Sequence, residues 1–362
     1  MTISNTSSVT KEPENYDRAK AVKDFDDSKI GVKGLLDSGI TTIPQFFVHP
    51  PESLRTITTT SVSQTIPLID LSQPRQTIVD QIRDASRTWG FFQILNHGIP
   101  PEFLDRLITS IKAFNEQPTE TKAQHYSREI GRGVAFSTNF DLFQSKAASW
   151  RDTIQISLGP RQLDFNLVPE IFRKEVEEWN RHIGQLGESL MGILSEGLGL
   201  ETDGLKKLTC LEGKLMVCHY YPHCPQPDRT VGIASHMDPG VLTVLVQDQI
   251  GGLQVKHGEE WVDVKPIPGA LVINIGDLLQ MISNDEYKSV EHRVLANPFQ
   301  EPRISVGVFF NPSNRECLYG PLPELVSSEK PALYRQFTVQ EFLGKFLTKG
   351  LDGRTLIDHF KV

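Results

Sequence analysis

KLMVCHYY (214–221), VLTVLVQD (241–248), GGLQVK (251–256), EWVDVKP (260–266), ALVINIG (270–276), SVEHRVLA (289–296) and RISVGVFF (303–310) are short β-rich runs separated by Gly, Pro, Asn and Asp. Such spacing, with no helical segment between most of the runs, suits a sandwich or barrel of strands. It excludes a parallel β/α barrel and favours a double-stranded β-helix, the jelly roll. The expected fold is mainly β with α, its jelly-roll core lying over residues 211–315.

Outward from that core, the upstream chain reads as support. IPLIDLS (66–72) suits a strand, QTIVDQIRDASRTWG (76–90) has apolar residues at helical spacing, and FFQILNH (91–97) suits a second strand. A helix is expected from Pro101 to about Glu116, and a longer one from about Pro169 to Glu196. The longer helix carries Ile171, Val176, Trp179, Ile183, Leu186, Leu190 and Leu194 on its apolar face. Together with the proline-punctuated arm GVKGLLDSGITTIPQFFVHPPESL (31–54) and the linker TITTTSVSQT (56–65), these segments form an α/β supporting region over residues 29–210. Residues 1–28 are expected as a disordered polar tail, and 316–362 as a closing segment with helices at TVQEFLGKFL (338–347) and TLIDHF (355–360). No internal repeat or second core is evident, so one catalytic domain is expected.

Composition narrows the function. Hydrophobic residues make up 38% and charged residues 23% of the 362, the balance of a globular protein with a sizeable core. A formal net charge of -8 and the lack of a long basic run argue against a nucleic-acid partner. Four cysteines without a C-x-x-C pair suit reduced thiols. The N-terminal residues lack the apolar stretch of a signal peptide, and no apolar run approaches the roughly 20 residues of a membrane helix. A cytoplasmic monomer, away from membranes, is the expectation.

Ser235-His236-Met237-Asp238-Pro239-Gly240 contains H-x-D, a pattern expected about once by chance in this composition, and His257-Gly258-Glu259 is a second H-x-acid pair. Context separates them. A residue before proline is driven to extended geometry, and extended residues two apart share a face, so His236 and Asp238 can hold one ion. A third ligand is needed, and His292 in the run SVEHRV supplies an imidazole from another strand. Two imidazoles and one carboxylate on one face of an octahedral ion suit non-haem iron(II), although zinc sites also use three protein ligands.

Arg303-Ile304-Ser305 opens an apolar strand on which Arg303, Ser305, Gly307 and Phe309 share a face. A buried guanidinium requires an anionic partner, either an internal Asp or Glu or a small dicarboxylate gripped by its planar fork and the Ser305 hydroxyl.

His236-x-Asp238, His292 and Arg303-x-Ser305, with HYYPHCPQP (219–227), GGLQV (251–255) and WRD (150–152), resemble the plant 2-oxoglutarate/iron(II)-dependent dioxygenases. The arm at 31–50 and the stretch STNFDLFQSKAASWRDTI (137–154) resemble the branch of 1-aminocyclopropane-1-carboxylate oxidase homologues, which includes deacetoxyvindoline 4-hydroxylase. The resemblance covers the chain beyond about residue 28. It implies that His236, Asp238 and His292 are catalytic iron ligands, that Arg303 and Ser305 bind the distal carboxylate of 2-oxoglutarate, and that Tyr221 adds a hydrogen bond. His219 departs from the Asn of most relatives and stays outside the metal set. Phe309 is expected as an aromatic wall of the substrate pocket, with Phe136 and Phe140 lining its entrance. The implied reaction hydroxylates or demethylates a small plant specialised metabolite, consumes dioxygen and 2-oxoglutarate, releases succinate and carbon dioxide, and uses ascorbate as reductant. Two alternatives remain at this point: a true 1-aminocyclopropane-1-carboxylate oxidase that makes ethylene, and a jelly-roll binding protein without turnover.

Overall fold

The computed structural model describes residues 16–54, 64–129, 131–349 and 356–362. In chain order these form α1 (Arg18–Ser28), α2 (Gly31–Asp37), α3 (Pro51–Leu54), β1 (Leu68–Asp70), α4 (Arg75–Thr88), β2 (Phe91–Leu95), α5 (Pro101–Asn115), α6 (Thr119–Ala123), β3 (Val134–Ser137), β4 (Asp152–Gly159) and α7 (Arg173–Gly197). The second half adds β5 (Gly213–Tyr221), β6 (Val231–His236), β7 (Leu242–Gln247), β8 (Leu253–His257), β9 (Glu260–Asp263), β10 (Leu271–Ile275), α8 (Asp277–Ile282), β11 (His292–Leu295), β12 (Arg303–Asn311), β13 (Leu318–Tyr319), β14 (Phe337–Thr338) and α9 (Val339–Lys349).

Twelve of the strands form two sheets that include the expected jelly-roll core. The major sheet runs β1-β2-β10-β7-β12-β5-β4-β3 and the minor one β6-β11-β8-β9. Four strands of the major sheet come from before residue 210 and four from after it, so the stretches expected as support and as core share one sheet.

Alternation along β12 explains the layering. Ile304, Val306, Val308 and Phe310 are buried in the main core beneath Leu107, Trp179, Leu186 and Leu190 of α5 and α7. Burying each such side chain contributes roughly 1.5–3 kcal/mol. The α7 backbone comes so near the sheet that a Cβ on Gly187 would stand 2.8 Å from the Phe310 ring. The odd residues of β12 face the minor sheet, where Tyr221, Ile233, Leu253, Val255 and Val294 form a second apolar cluster.

Two expectations need correction. The tail expected over 1–28 is a helix over Arg18–Ser28, because Val22 and Phe25 enter a third cluster with Phe46, Phe47 and Trp150; residues 1–15 lie outside the described residues. Ile171, expected on the apolar face of the long helix, precedes α7 in a 3-10 turn and is 38% exposed. Most of the Ser/Thr linker falls at residues 55–63, also outside the described residues.

Asp152, at the start of β4, fastens the N-terminal arm to the sheet. It is fully buried, and its carboxylate accepts from the Val32 N–H at 2.8 Å, the Lys33 N–H at 2.9 Å and the Thr138 hydroxyl at 3.0 Å. Burial pushes its pKa up, and the two backbone donors pull it back. Asp152→Ala leaves those donors without a partner, which costs about 1–3 kcal/mol for each one that water does not reach. The expected outcome is a lower Tm and faster limited proteolysis within 28–48; an arm as protease-resistant as in the unmodified protein would refute this anchoring.

Candidate metal centre and basic chamber

The minor sheet brings the two histidines together by register. His236, the last residue of β6, lies directly across from His292, the first of β11, and their rings are 4.2 Å apart. Asp238 follows just past the end of β6 and is 3% exposed. Its Oδ1 is 3.5 Å from Nε2 of each histidine. The three candidate ligand atoms all lie within 4.8 Å of one another.

Each group is oriented by a neighbour. His236 Nδ1 is 2.9 Å from the Ala234 carbonyl, and His292 Nδ1 is 3.3 Å from that of Val290. A carbonyl only accepts, so each Nδ1 carries the proton and each Nε2 lone pair faces the centre. Asp238 Oδ2 accepts from the Thr243 hydroxyl at 2.6 Å and from Asn274 Nδ2 at 2.7 Å, which leaves Oδ1 for the centre. Burial would raise the Asp238 pKa, but His292, His236 and Thr243 together hold it well below the usual carboxylate range. Burial, reinforced by His236, pushes His292 down to about 4, so it is neutral at pH 7. The three candidate ligand atoms converge on one point, an arrangement that a cation completes.

Arg303 and Ser305 lie deeper, on the inner face of β12. Arg303 is 2% exposed; its Nη1 donates to Ser305 Oγ at 3.2 Å and its Nη2 to Gln247 Oε1 at 2.8 Å. The internal salt bridge that could have explained this residue is not formed among the described residues. The neighbouring Asp248 instead accepts from the Ile304 and Ile250 N–H groups. Tyr221 pairs with Arg303 across β5 and β12, and the guanidinium sits 4.8 Å from its ring centroid. Arg303 Nε, Gln247 Nε2 and the Tyr221 hydroxyl are all buried without a hydrogen-bond partner. Buried polar groups are normally satisfied, so this cluster of orphans fits an absent polar ligand. Between chamber and metal centre, His219 faces Ser305 across the strands and its Nδ1 is 3.0 Å from the Thr153 hydroxyl.

The aromatic candidates divide. Phe309 shares the inner face with Arg303 and Ser305 and is half-buried. Phe136 does not line a cavity: it is fully buried in the main core, edge-on to Phe114 and Tyr126, because its pairing with Ile154 gives it the helix-covered face. Phe140 is 40% exposed and stacks on Phe346 of α9 at 6.3 Å. Thr243, Asn274 and Gln247 were missed by the sequence reading. A single amide inside the apolar run LVINI was the available signal for Asn274.

Residues 212–312 match the profile of the 2OG-Fe(II) oxygenase superfamily, and 66–171 match that of the non-haem dioxygenase N-terminal region described from morphine synthesis. The chain is 44% identical to 1-aminocyclopropane-1-carboxylate oxidase homolog 6 of Arabidopsis thaliana, covering 98% of this chain and 99% of that one. It is 43% identical to a homolog from Solanum lycopersicum over 96% of this chain and 98% of that one. A crystal structure of JOX2 in complex with 2OG, Fe and JA superposes with a TM-score of 0.83 at 31% identity, covering 92% of this chain and 98% of JOX2.

Burial also lowers the pKa values of His49, His97, His125 and His219. The unfolded chain therefore binds protons below about pH 6.5 that the folded chain refuses, so stability falls as pH drops through that value towards 4. The metal-free protein is expected to lose Tm steadily from pH 7 to pH 5 in calorimetry, and a flat profile would contradict the neutral burial of these rings.

Proposed function

The chain belongs to the plant 2-oxoglutarate/iron(II)-dependent dioxygenase family, and from that premise we propose that it hydroxylates, or oxidatively demethylates, a small plant specialised metabolite. In this reading His236, Asp238 and His292 hold iron(II), while Arg303, Ser305 and Tyr221 hold the distal carboxylate of 2-oxoglutarate. When bound, the iron and the 2-oxo acid activate dioxygen, with succinate and carbon dioxide as the co-products. The observation that carries the proposal is a buried Arg303 that forms no ion pair among the described residues, near enough to the converging triad that His219 lies in the field of Arg303, His236 and Asp238 together.

The protein's part is positional. Thr243 and Asn274 fix one oxygen of Asp238 so that the other keeps its direction. The Arg303 fork, braced by Gln247 and Ser305, presents donors to a planar carboxylate and fixes the orientation of a diacid. Phe309 walls the side where the organic substrate rests, and Phe140 against Phe346 forms part of the rim. Core chemistry at 211–315, closure by 316–362, a cytoplasmic monomeric state and ascorbate as reductant complete the proposal. It accords with the lack, among the described residues, of any helix long and apolar enough to cross a membrane.

Three measurements test the assignment. His236→Ala, Asp238→Ala and His292→Ala are each expected to lose bound iron by metal analysis while keeping the circular dichroism of the fold; full iron content in any of them removes that residue from the set. Arg303→Gln should keep iron yet bind 2-oxoglutarate roughly ten- to a hundredfold more weakly, the equivalent of about 1.5–3 kcal/mol for charge-assisted bonds. Phe309→Ala should raise KM for the organic substrate, or alter its product ratio, with 2-oxoglutarate KM unchanged. The reverse pattern would move Phe309 to the co-substrate side. Succinate formed in step with organic product separates this activity from an ethylene-forming one.

A further inference from the structure

Arg151 is buried and forms no ion pair among the described residues. It is 2% exposed, and its hydrogen bond goes from Nη1 to the Gly232 carbonyl on β6 at 3.0 Å. Its Nε is buried without a partner. The acids nearest in its field are Asp141 and Asp152, and neither forms an ion pair with it. The Asp152 carboxylate is turned away, committed to Val32, Lys33 and Thr138. Leaving a guanidinium buried and uncompensated costs several kcal/mol, so such a group persists where an anion completes it.

The position of Arg151 points to which anion. Gly232, whose carbonyl accepts the Arg151 bond, passes so close to Tyr221 that a Cβ there would stand 2.9 Å from the tyrosine ring. Arg151 and Tyr221 therefore lie side by side against one residue of β6. Tyr221 stands in the field of two guanidiniums, with Arg303 over its ring, and its hydroxyl lies beside Ser305 and Arg303 while completing no hydrogen bond. Burial pushes His219 on β5 well below its ordinary value, and Arg151 and then Arg303 add to that shift.

We infer that Arg151 is a positioning residue for the co-substrate, a second fixed cation that acts through Tyr221 and Gly232 to select a 2-oxo acid with a negatively charged far end. This rests on the reading of the Arg303 chamber as the distal-carboxylate site. Asp248 lies in the field of Arg303, and Asp141 and Asp152 in that of Arg151, yet among the described residues neither guanidinium forms an ion pair with an acid, so the chamber suits a full negative charge and a neutral tail of the same length leaves both guanidiniums without one.

The test uses the iron(II)-loaded full chain under anaerobic conditions, titrated with 2-oxoglutarate and with 2-oxopentanoate, in which a methyl group replaces the distal carboxylate. Arg151→Gln is expected to weaken 2-oxoglutarate binding by roughly tenfold and 2-oxopentanoate binding by less than about twofold, with Arg151→Lys recovering most of the preference. If Arg151 only braced β4 against β6, Tm would fall and both acids would weaken equally, and that result overturns the inference. A second measurement needs no change at Arg151: Arg303→Gln should retain a several-fold preference for 2-oxoglutarate, and its complete loss also overturns the inference. The two readings separate cleanly. Selective loss in Arg303→Gln without selective loss in Arg151→Gln sinks the role of Arg151 alone, whereas no selective loss in either variant sinks the chamber reading as well.

Discussion

Strand β12 has to satisfy two opposed environments along nine residues, and the architecture follows from how it does so. Its even positions are apolar and closed over by α5 and α7; its odd positions present Arg303, Ser305, Gly307 and Phe309 to the minor sheet. A slip of one residue in register would drive a guanidinium into the helix-packed core, at a cost that no local rearrangement offsets. Long pairings on both sides prevent it, with β5 matched from Arg303 to Asn311 and β7 from Ser305 to Phe310. The central location of β12 is thus what permits a buried charge there.

The candidate site is held in a state that is unfavourable by itself. Three candidate ligand atoms converge at the triad, and Arg303 and Arg151 are buried with no ion pair among the described residues. Burial of the surrounding apolar clusters contributes stability that offsets part of that polarity. The same layout removes reorganisation from the binding step, because Asp238 and Arg303 are already hydrogen-bonded into place.

Much of this could be read from sequence because it depends on period two. The jelly roll followed from the spacing of short runs, and the convergence of His236 with Asp238 followed from extended geometry before Pro239. What escaped depended on which strand lies beside which. Phe136 was expected at the pocket entrance, yet its face is set by pairing with Ile154, a register that local pattern does not contain. Helix α1 was hidden because RAKAVKDFDDS buries only Val22 and Phe25, too few apolar positions to stand out against its charges. Arg151 was visible in WRD, but that no acid among the described residues pairs with it emerges only when Asp152 turns to α2.

The register of the major sheet also orders the inner face of β12 along its length. Ser305 lies across from Gln247 and His219 at the basic end, while Phe309 lies across from Thr243, which pairs in turn with Asn274 at the end that secures Asp238. Phe309 is six residues on from Arg303, roughly 20 Å of strand at about 3.3 Å per residue. Gly307 lies between them, and a Cβ there would already touch Leu245, Phe309 and Thr243 at ordinary contact distances, so its absence keeps the floor low where the two ends meet. In the proposed function, the long Arg303 side chain reaches along that floor towards the triad and Phe309 stands beyond it. The two ends then recognise different partners by different physics. Fixed charge governs the basic end and tolerates little variation in ligand charge, whereas apolar shape governs the Phe309 end, where exchange of a few side chains can alter the organic substrate without disturbing the metal.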